Sequence, residues 1–348
     1  PMSMAFAMKA GLPIWCGLVG CGVAAAVAPL FSGSANLSAG PTNASAALLL
    51  GSFATLGAIT PELRAAALPT LVLMTGVFLL LASWLRLSGF ADFVPRTVIS
   101  AYIAAAALRV IALQLPTALG MPGDHGDDTL PEVLWHAARM GRALINPELG
   151  LALITSVAYF LLRPKYGAGK AILGAVMVAT FGAILAQNVA HAQGSRADLV
   201  GYVGQAAQAA SALHLPDFSA RTLSTLFSPA LALAVLVVIE GTANARASAL
   251  KTGRPSDLHQ EVYGLGMANL VCAFTGGMAA SGSISRSALN VASGARTALA
   301  SLLCGLFILG ALFLARPVVA IVPLSTLAIL VILAEIELAN LSAVKLIL

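Results

Sequence analysis

The residues with the most evident chemistry lie in one stretch, residues 281–297, which reads SGSISRSALNVASGART. A run of small residues leads into Arg286, and a helix-forming segment follows. Small residues let a ligand approach the backbone, and a helix N-terminus carries about half a positive charge. Together with a guanidinium, this arrangement favours the binding of an anion. The alternative is an interfacial arginine whose side chain reaches lipid headgroups.

A second charged residue, Glu240, lies inside the apolar segment 227–250. A carboxyl group away from water holds a proton more readily than one in water, which suits a proton carrier. Two other roles remain open. Ionised Glu240 can bind Na⁺ together with Asn244 and backbone carbonyls, or Glu240 can be a structural carboxyl hydrogen-bonded to the loop at residues 282–283.

The composition identifies the class of protein. The chain has 348 residues, of which 59% are hydrophobic and 9% charged, and its mean hydropathy is +0.92. Soluble domains carry about 25% charged residues, so we predict an all-α polytopic membrane protein in contact with the lipid bilayer. The net charge is +5, but no basic cluster with interleaved aromatics is present, so nucleic acid is not an expected partner.

Metal and cofactor chemistry is not indicated. The four cysteines lie in apolar surroundings without metal-ligand spacing, and we expect them to be buried packing residues. The five histidines lie near predicted loops or helix ends and form no H-E-x-x-H pair. We therefore predict no metal site and no cofactor.

A second helix is predicted to begin inside the membrane. Small polar residues at 34–45, SANLSAGPTNAS, interrupt the apolar sequence, and Gly40-Pro41 starts a helix that runs to about residue 57. Proline at a first helical position, with Ser or Asn just before it, is a helix start signal.

Other apolar segments are long enough to span or half-span a bilayer. They are predicted at residues 14–31, 65–85, 94–115, 149–162, 171–187, 227–250, 259–277 and 299–314, and from residue 322 onward. Between them, the polar connection 121–146 holds Trp135, Arg139 and Arg142, which favour an interfacial helix. Alternating the spans puts the basic loops on one side, which is cytoplasmic by the positive-inside rule.

The two halves of the chain echo each other. PMSMAFAMKAG, LSAGPTNAS and FVPRTVISAYIAAAA recur in the same order as VIEGTANARASALKTG, SGSISRSALN and IVPLSTLAILVILAE. We predict two repeats within one transmembrane transport domain, at about 1–190 and 222–348. Paired interrupted segments indicate a transporter site at the repeat interface, where helix starts after Gly40 and Ser283 face each other and bind an anion.

These motifs resemble the sulfate permease (SulP) family of anion transporters, which includes prestin and pendrin, over most of the chain. The strongest matches are two helix motifs: Gln260-Glu261 with Gly264, Gly266, Ala268-Asn269 and Gly276-Gly277, and Ser285-Arg286-Ser287 with Asn290 and Gly294-Ala295-Arg296-Thr297. Pro1, Ser3 and Ala5-Phe6-Ala7 with Gly11-Leu12-Pro13 resemble the family's first-helix signature, and Ser38-Ala39-Gly40-Pro41 resembles a further helix start.

The resemblance implies a seven-plus-seven inverted-repeat fold with two half-helices that follow short extended segments. It also implies a core domain that carries the anion against a gate domain, and a homodimer. Carried over residue by residue, the anion site comprises Phe6, Pro41, Thr42, Ile284, Ser285 and Arg286. Glu240 matches an acid found in many prokaryotic members.

The sequence departs from the family pattern in three ways. Met2 stands where the family commonly has Gln, which removes a polar group near the site. The family's STAS domain is not found in these residues, and the transport domain is expected to be incomplete at both ends.

We therefore predict a secondary active transporter of a small anion (sulfate, bicarbonate, chloride or a dicarboxylate) that works by alternating access, couples to H⁺ and lies in a bacterial inner membrane. The first alternative is a sodium-coupled symporter of the bicarbonate type. A nucleobase or aromatic-acid proton symporter of the same architecture is another, and would place aromatic and amide residues at the two helix starts. An intramembrane serine hydrolase would need a buried Ser–His pair, and no G-x-S-x-G motif is present.

Overall fold

The computed structural model describes residues 2–55, 61–87, 108, 111–122, 129–141, 146–192, 200–202, 215–253, 256–314 and 320–338. Within these ranges the named elements are helices, apart from one pair of two-residue strands. They are α1 Met2–Lys9, α2 Ile14–Phe31, β1 Ala39–Gly40, α3 Asn43–Thr55, α4 Pro61–Trp84, α5 Leu130–Met140, α6 Pro147–Ala192, α7 Ala220–Thr252, α8 Leu258–Thr275, β2 Ser281–Gly282, α9 Ile284–Ala292, α10 Leu299–Leu314 and α11 Leu324–Leu338.

Four of the described helices contain stretches long and apolar enough to cross a membrane. They are Ile14–Phe31, Leu63–Trp84, Lys170–Val189 and Ala220–Ala249. The bounds of α2 and α10 agree with the predicted spans 14–31 and 299–314. Most of the predicted span 94–115 lies outside the described residues.

The chain divides into two compact units. The sheet-containing unit comprises Ser3–Ile99 and Ala206–Arg316, and holds α2 to α4, α7 to α10 and both strands. Here α2 packs against both α8 and α10. Its small residues allow this, since a Cβ added at Gly22 would lie 2.8 Å from Leu309 of α10.

The second unit comprises Pro1–Met2, Ser100–Gln205 and Pro317–Leu348. Its helix α6 contains a non-helical residue, Gly167, with φ 78°, between the predicted spans 149–162 and 171–187. Leu330 of α11 is buried in one cluster with Tyr159 and Ala171 of α6.

Helix α5 in the second unit lies within the connection 121–146, for which an interfacial helix is predicted. Thr129 and Glu132 form a capping box at its start. Val133 is buried, whereas Trp135 is exposed and lies 4.9 Å from the guanidinium carbon of Arg139. An aromatic ring and a cation on an exposed face are typical of an interfacial helix.

The prediction for the cysteines is wrong at one position. Cys16, Cys21 and Cys272 are buried and free, but Cys304 on α10 is free and exposed. An apolar segment by itself does not tell which of its faces packs against protein, and Cys304 lies on the face that does not.

Candidate functional site

The two predicted half-helices begin next to each other at the small sheet. Strand β1 pairs antiparallel with β2, so that Ala39 lies opposite Gly282 and Gly40 opposite Ser281. Helix α3 begins three residues after β1, and α9 begins two residues after β2. The predicted meeting of two interrupted segments is therefore confirmed, and both positive helix ends lie beside one two-residue ladder.

Asn269 of α8 is fully buried and holds the residue that precedes strand β2. Its amide nitrogen donates to the carbonyl of Ala280 at 2.8 Å, and its amide oxygen accepts from the backbone N–H of Ala280 at 2.9 Å. The same nitrogen also donates to the carbonyl of Leu265 at 2.8 Å. The Asn269 side chain thus makes both hydrogen bonds to the backbone of Ala280 that a neighbouring strand would otherwise make.

Strand β1 and the start of α3 lie against α2. A Cβ added at Gly20 would lie 2.7 Å from the carbonyl oxygen of Met278 and 3.4 Å from the ring of Pro41. Thr42 and Ser45 cap α3 reciprocally: each backbone N–H donates to the other hydroxyl, at 3.0 and 3.2 Å. This arrangement satisfies donors that a helix start leaves without partners.

Arg286 lies in the first turn of α9 and reaches across to the other helix start. Its Nη1 donates to the carbonyl of Pro41 at 3.0 Å. Its Nε and Nη2 are buried and have no hydrogen-bond partner within the described part of the chain. The guanidinium packs on Gly40, where an added Cβ would lie 2.9 Å from Nη2. The contact with Pro41 inside the sheet-containing unit does not fit an arginine that only reaches headgroups.

Glu240 of α7 is 6% exposed and also contacts the start of α3. The hydroxyl of Thr42 donates to its Oε2 at 2.9 Å. The adjacent residues Pro41 and Thr42 therefore contact Arg286 and Glu240, respectively. The two charged residues singled out in the sequence meet at a single peptide segment, although their roles stay predictions.

Asn244, one turn after Glu240, makes a hydrogen bond to α9. Its amide nitrogen donates to the hydroxyl of Ser287 at 3.0 Å, and the backbone N–H of Ser38 donates to the same hydroxyl at 3.0 Å. Ser287 thereby joins α7, α9 and the residue before β1. The role of Asn244 in ion coupling stays a prediction.

The remaining predicted site residues are placed as follows. Phe6 is buried on α1. Ile284 and Ser285 are the first two residues of α9, directly after Ser283, whose hydroxyl accepts from the backbone N–H of Arg286 at 3.4 Å. The side chains of Ile284 and Ser285 lie outside the described residues. Contact of these three side chains with an anion stays a prediction.

Sequence reasoning assigned no role to two residues that contact this region. Lys9, the last residue of α1, donates from Nζ to Oδ1 of Asn43 at 2.7 Å, and Ser287 accepts the two bonds described above. In the sequence, a lysine at the end of a short apolar helix looks like an ordinary charged residue at the membrane interface. A serine gives no sequence signal for a bond to a residue 249 positions away.

A second acid, Glu261, is fully buried in the first turn of α8. Its carboxyl faces Ser34, in the connection between α2 and β1. The sequence places Glu261 in a motif but does not indicate its complete burial. Because Glu261 is also a buried acid, its substitution is a suitable control for the substitution of Glu240.

Comparison with known proteins gives a consistent result. The model of the sulfate permease family matches residues 1–348. A probable sulfate transporter of Mycobacterium tuberculosis is 30% identical over 347 residues, which are 98% of this chain and 60% of that protein. The bicarbonate transporter BicA of Picosynechococcus sp. is 28% identical over 336 residues, which are 94% of this chain and 57% of that protein.

A solved structure, the transmembrane domain of a cyanobacterial bicarbonate transporter BicA, has a similar fold, with a TM-score of 0.77 and 24% identity. The likeness covers 98% of this chain and 86% of that one. It confirms the predicted class, an all-α membrane transporter fold of the inverted-repeat type. The chain spans about 60% of the length of the curated relatives named above.

Proposed function

Because the chain belongs to the sulfate permease family, we propose that it is a secondary active transporter that carries a small anion across a membrane. We further propose that the anion binds between the starts of α3 and α9, beside Arg286. Membership of a permease family argues against the serine hydrolase alternative.

The observation that carries this proposal is the state of Arg286. Its Nε and Nη2, the two donors along one edge of the guanidinium, are buried without partners among the described residues. Arginine inside a membrane costs about 2.5–3.5 kcal/mol on insertion scales, so it needs a compensating partner. An oxyanion offers two oxygens that accept both N–H bonds side by side, and the helix ends add positive potential.

The same contacts support a proposal for the class of anion. The contacts at the two helix starts come from Arg286, Glu240, Lys9 and small polar residues, which suits a compact oxyanion such as sulfate, bicarbonate or a small dicarboxylate. Relatives named as sulfate and bicarbonate transporters agree with this choice. A nucleobase would need groups that recognise a flat ring, and Arg286 beside Gly40 and Pro41 suits a compact oxyanion better.

Counterflow in proteoliposomes with labelled sulfate, bicarbonate, fumarate and chloride tests the proposal. We expect Arg286→Gln to weaken the affinity for every transported anion by about 1.5–3 kcal/mol, which is roughly 10–150-fold, because a charge-assisted pair is lost. Arg286→Lys should recover only part of the anion affinity, since an ammonium group cannot donate two parallel hydrogen bonds as the planar guanidinium does.

Arg221→Gln is the matched control, because Arg221 is exposed in the first turn of α7. It should leave anion affinity unchanged. Normal affinity in Arg286→Gln across the whole panel would place the anion elsewhere.

Coupling to protons is proposed at Glu240. Thr42 contacts its carboxylate, and Pro41, the residue before Thr42, contacts Arg286. A bound anion neutralises part of the positive charge of Arg286 and so favours proton binding at Glu240. Anion and proton then bind cooperatively and cross together. Na⁺ held by ionised Glu240 with the amide oxygen of Asn244 is the competing arrangement.

An inward acid gradient separates these two forms of coupling. On the proton proposal, the gradient accelerates uptake without Na⁺, and Glu240→Gln abolishes the acceleration but leaves exchange of anion for anion. Glu261→Gln, at the other buried acid, should keep the acceleration. Uptake that depends on an Na⁺ gradient and not on pH would show that Glu240 binds sodium. Loss of the acceleration in Glu261→Gln alone would show that the proton binds to Glu261 on α8.

The remaining predictions complete the proposed mechanism. We propose that the protein works by alternating access, in which a core domain carries the anion against a gate domain, as a homodimer in a bacterial inner membrane. The two repeats, at about 1–190 and 222–348, form one transport domain in this proposal. Cross-linking in native membranes at several expression levels tests the dimer.

A further inference from the structure

Three consecutive residues at the start of α3 contact three different charged side chains. The carbonyl of Pro41 accepts from Arg286 at 3.0 Å, the hydroxyl of Thr42 donates to Glu240 at 2.9 Å, and the amide oxygen of Asn43 accepts from Lys9 at 2.7 Å. Consecutive Cα atoms are 3.8 Å apart, so the Cα atoms of Pro41 and Asn43 are at most about 7.6 Å apart. Two cations and one acid therefore converge on one short segment.

Lys9 reaches this segment from a different helix than the other two charges. It is the last residue of α1 and is half-buried, whereas Glu240 lies on α7 and Arg286 on α9. A cation at the C-terminus of α1 is favourable, but the start of α3 is itself positive and repels it. An anion beside the start of α3 relieves that repulsion.

The charge balance of the segment depends on Glu240. Ionised Glu240 adds one negative charge beside the positive charges of Arg286 and Lys9, and protonated Glu240 adds none. The interaction of Lys9 with a bound anion is proportional to the charge of that anion. A second negative charge on the ligand therefore doubles the free energy that Lys9 contributes.

We propose that Lys9 is a specificity-determining residue of the anion site, which makes the site prefer doubly charged over singly charged anions. This inference rests on the proposed function of the site. Lys9 acts through its charge beside Asn43, and Arg286 makes the direct contact with the anion.

The test measures how well unlabelled anions compete with the labelled anion that the wild-type protein exchanges in proteoliposomes. Sulfate and fumarate are the doubly charged competitors, and bicarbonate and nitrate the singly charged ones. In Lys9→Gln, we expect the inhibition constants to rise about threefold for singly charged anions and about tenfold, the square of that factor, for doubly charged anions. Lys9→Arg should keep the wild-type preference.

Lys170→Gln is the matched control, since Lys170 is an exposed lysine on α6 in the second unit. It should change neither class. One contrary outcome is that Lys9→Gln raises the inhibition constants of both classes of anion by the same factor, or raises neither. In either case Lys9 only connects α1 to α3 structurally, and the proposal is wrong. A wild-type protein that binds only singly charged anions would also overturn it.

A chemical variant covers the case in which Lys9→Gln does not fold. Lys9→Cys is labelled with a methanethiosulfonate reagent that carries an ammonium group or with a neutral one, and wild-type protein treated in the same way controls for the native cysteines. Only the ammonium label should restore the preference for doubly charged anions, and equal behaviour of both labels overturns the proposal.

The two proposals fail in different ways. If Arg286→Gln abolishes anion binding while Lys9→Gln leaves the preference unchanged, only the inference on Lys9 is wrong. If Arg286→Gln binds the panel normally, the proposed anion site is wrong and the inference on Lys9 falls with it.

Discussion

The two short helices beside the sheet, α3 and α9, begin in different ways. The start of α3 is uncharged and is capped by its own residues, Thr42 and Ser45. It receives charged side chains from three other helices. The start of α9 carries its own cation, Arg286, and its only described cap within the helix is the longer bond to Ser283.

This difference shows that two similar half-helices can contribute different chemical groups to one site. The α3 start contributes a carbonyl, a hydroxyl and an amide that hold charged groups in place, and the α9 start contributes a guanidinium with two buried donors. Asn269 of α8 holds the residue before β2, and Asn244 of α7 contacts Ser287 of α9, whereas the start of α3 also has a reciprocal cap of its own. The following substitutions test this asymmetry.

The largest effect is expected at Asn269, which positions the residue before β2. Asn269→Leu leaves both the N–H and the carbonyl of Ala280 buried without their described side-chain partner, and each such group costs about 1–3 kcal/mol. We expect the free energy of unfolding in detergent to fall by about 3 kcal/mol and anion exchange to be lost.

Asn188→Leu, at an exposed asparagine of α6, is the matched control and should change stability by less than about 0.5 kcal/mol. Equal stability of the two variants would show that α8 does not position β2.

A smaller effect is expected at Gly40, on which the guanidinium packs. The φ of Gly40 is +157°, and an added Cβ would lie 2.9 Å from Nη2 of Arg286. Gly40→Ala should weaken anion affinity by about 1.5 kcal/mol, because it displaces the charge-assisted donor. Competition in anion exchange measures this loss.

A double-mutant cycle gives the control for Gly40. In an Arg286→Gln background, Gly40→Ala should cost almost no further affinity. Gly282→Ala is the counterpart on β2, where the added Cβ lies 3.0 Å from the Cα of Gly241. It should lower stability, with an affinity effect that does not depend on Arg286. Additive losses for Gly40→Ala and Arg286→Gln would contradict the packing of the guanidinium on Gly40.

The smallest effect concerns the two helix caps. Thr42→Val removes the hydroxyl that caps α3 and contacts Glu240, and should cost about 1 kcal/mol of unfolding free energy. Ser283→Ala removes a cap bond of 3.4 Å and should cost about 0.5 kcal/mol. Thermal unfolding in detergent measures both, and Thr42→Ser, which keeps the hydroxyl, should behave as wild type. A loss of unfolding free energy in Ser283→Ala that equals or exceeds the loss in Thr42→Val would contradict the stronger cap at α3.

Much of the architecture could be predicted from the sequence, because it depends on local patterns. A long apolar run must form its backbone hydrogen bonds internally in a membrane, so α2 and α10 have the predicted bounds. Small polar interruptions followed by a helix start predicted α3 and α9, and isolated charges in apolar segments indicated Arg286 and Glu240 as residues with a special role.

Only the tertiary structure decided which of these parts contact each other. The hydroxyl of Thr42 and the carboxylate of Glu240 lie 198 residues apart in the chain, and the choice of Asn43 as the partner of Lys9 depends on where α1 ends relative to α3. A single sequence contains no local signal for such pairs, since their register follows from how α2, α7 and α8 pack together. The types of charge at the site were therefore set by the sequence, and their arrangement around residues 41–43 by the packing of distant helices.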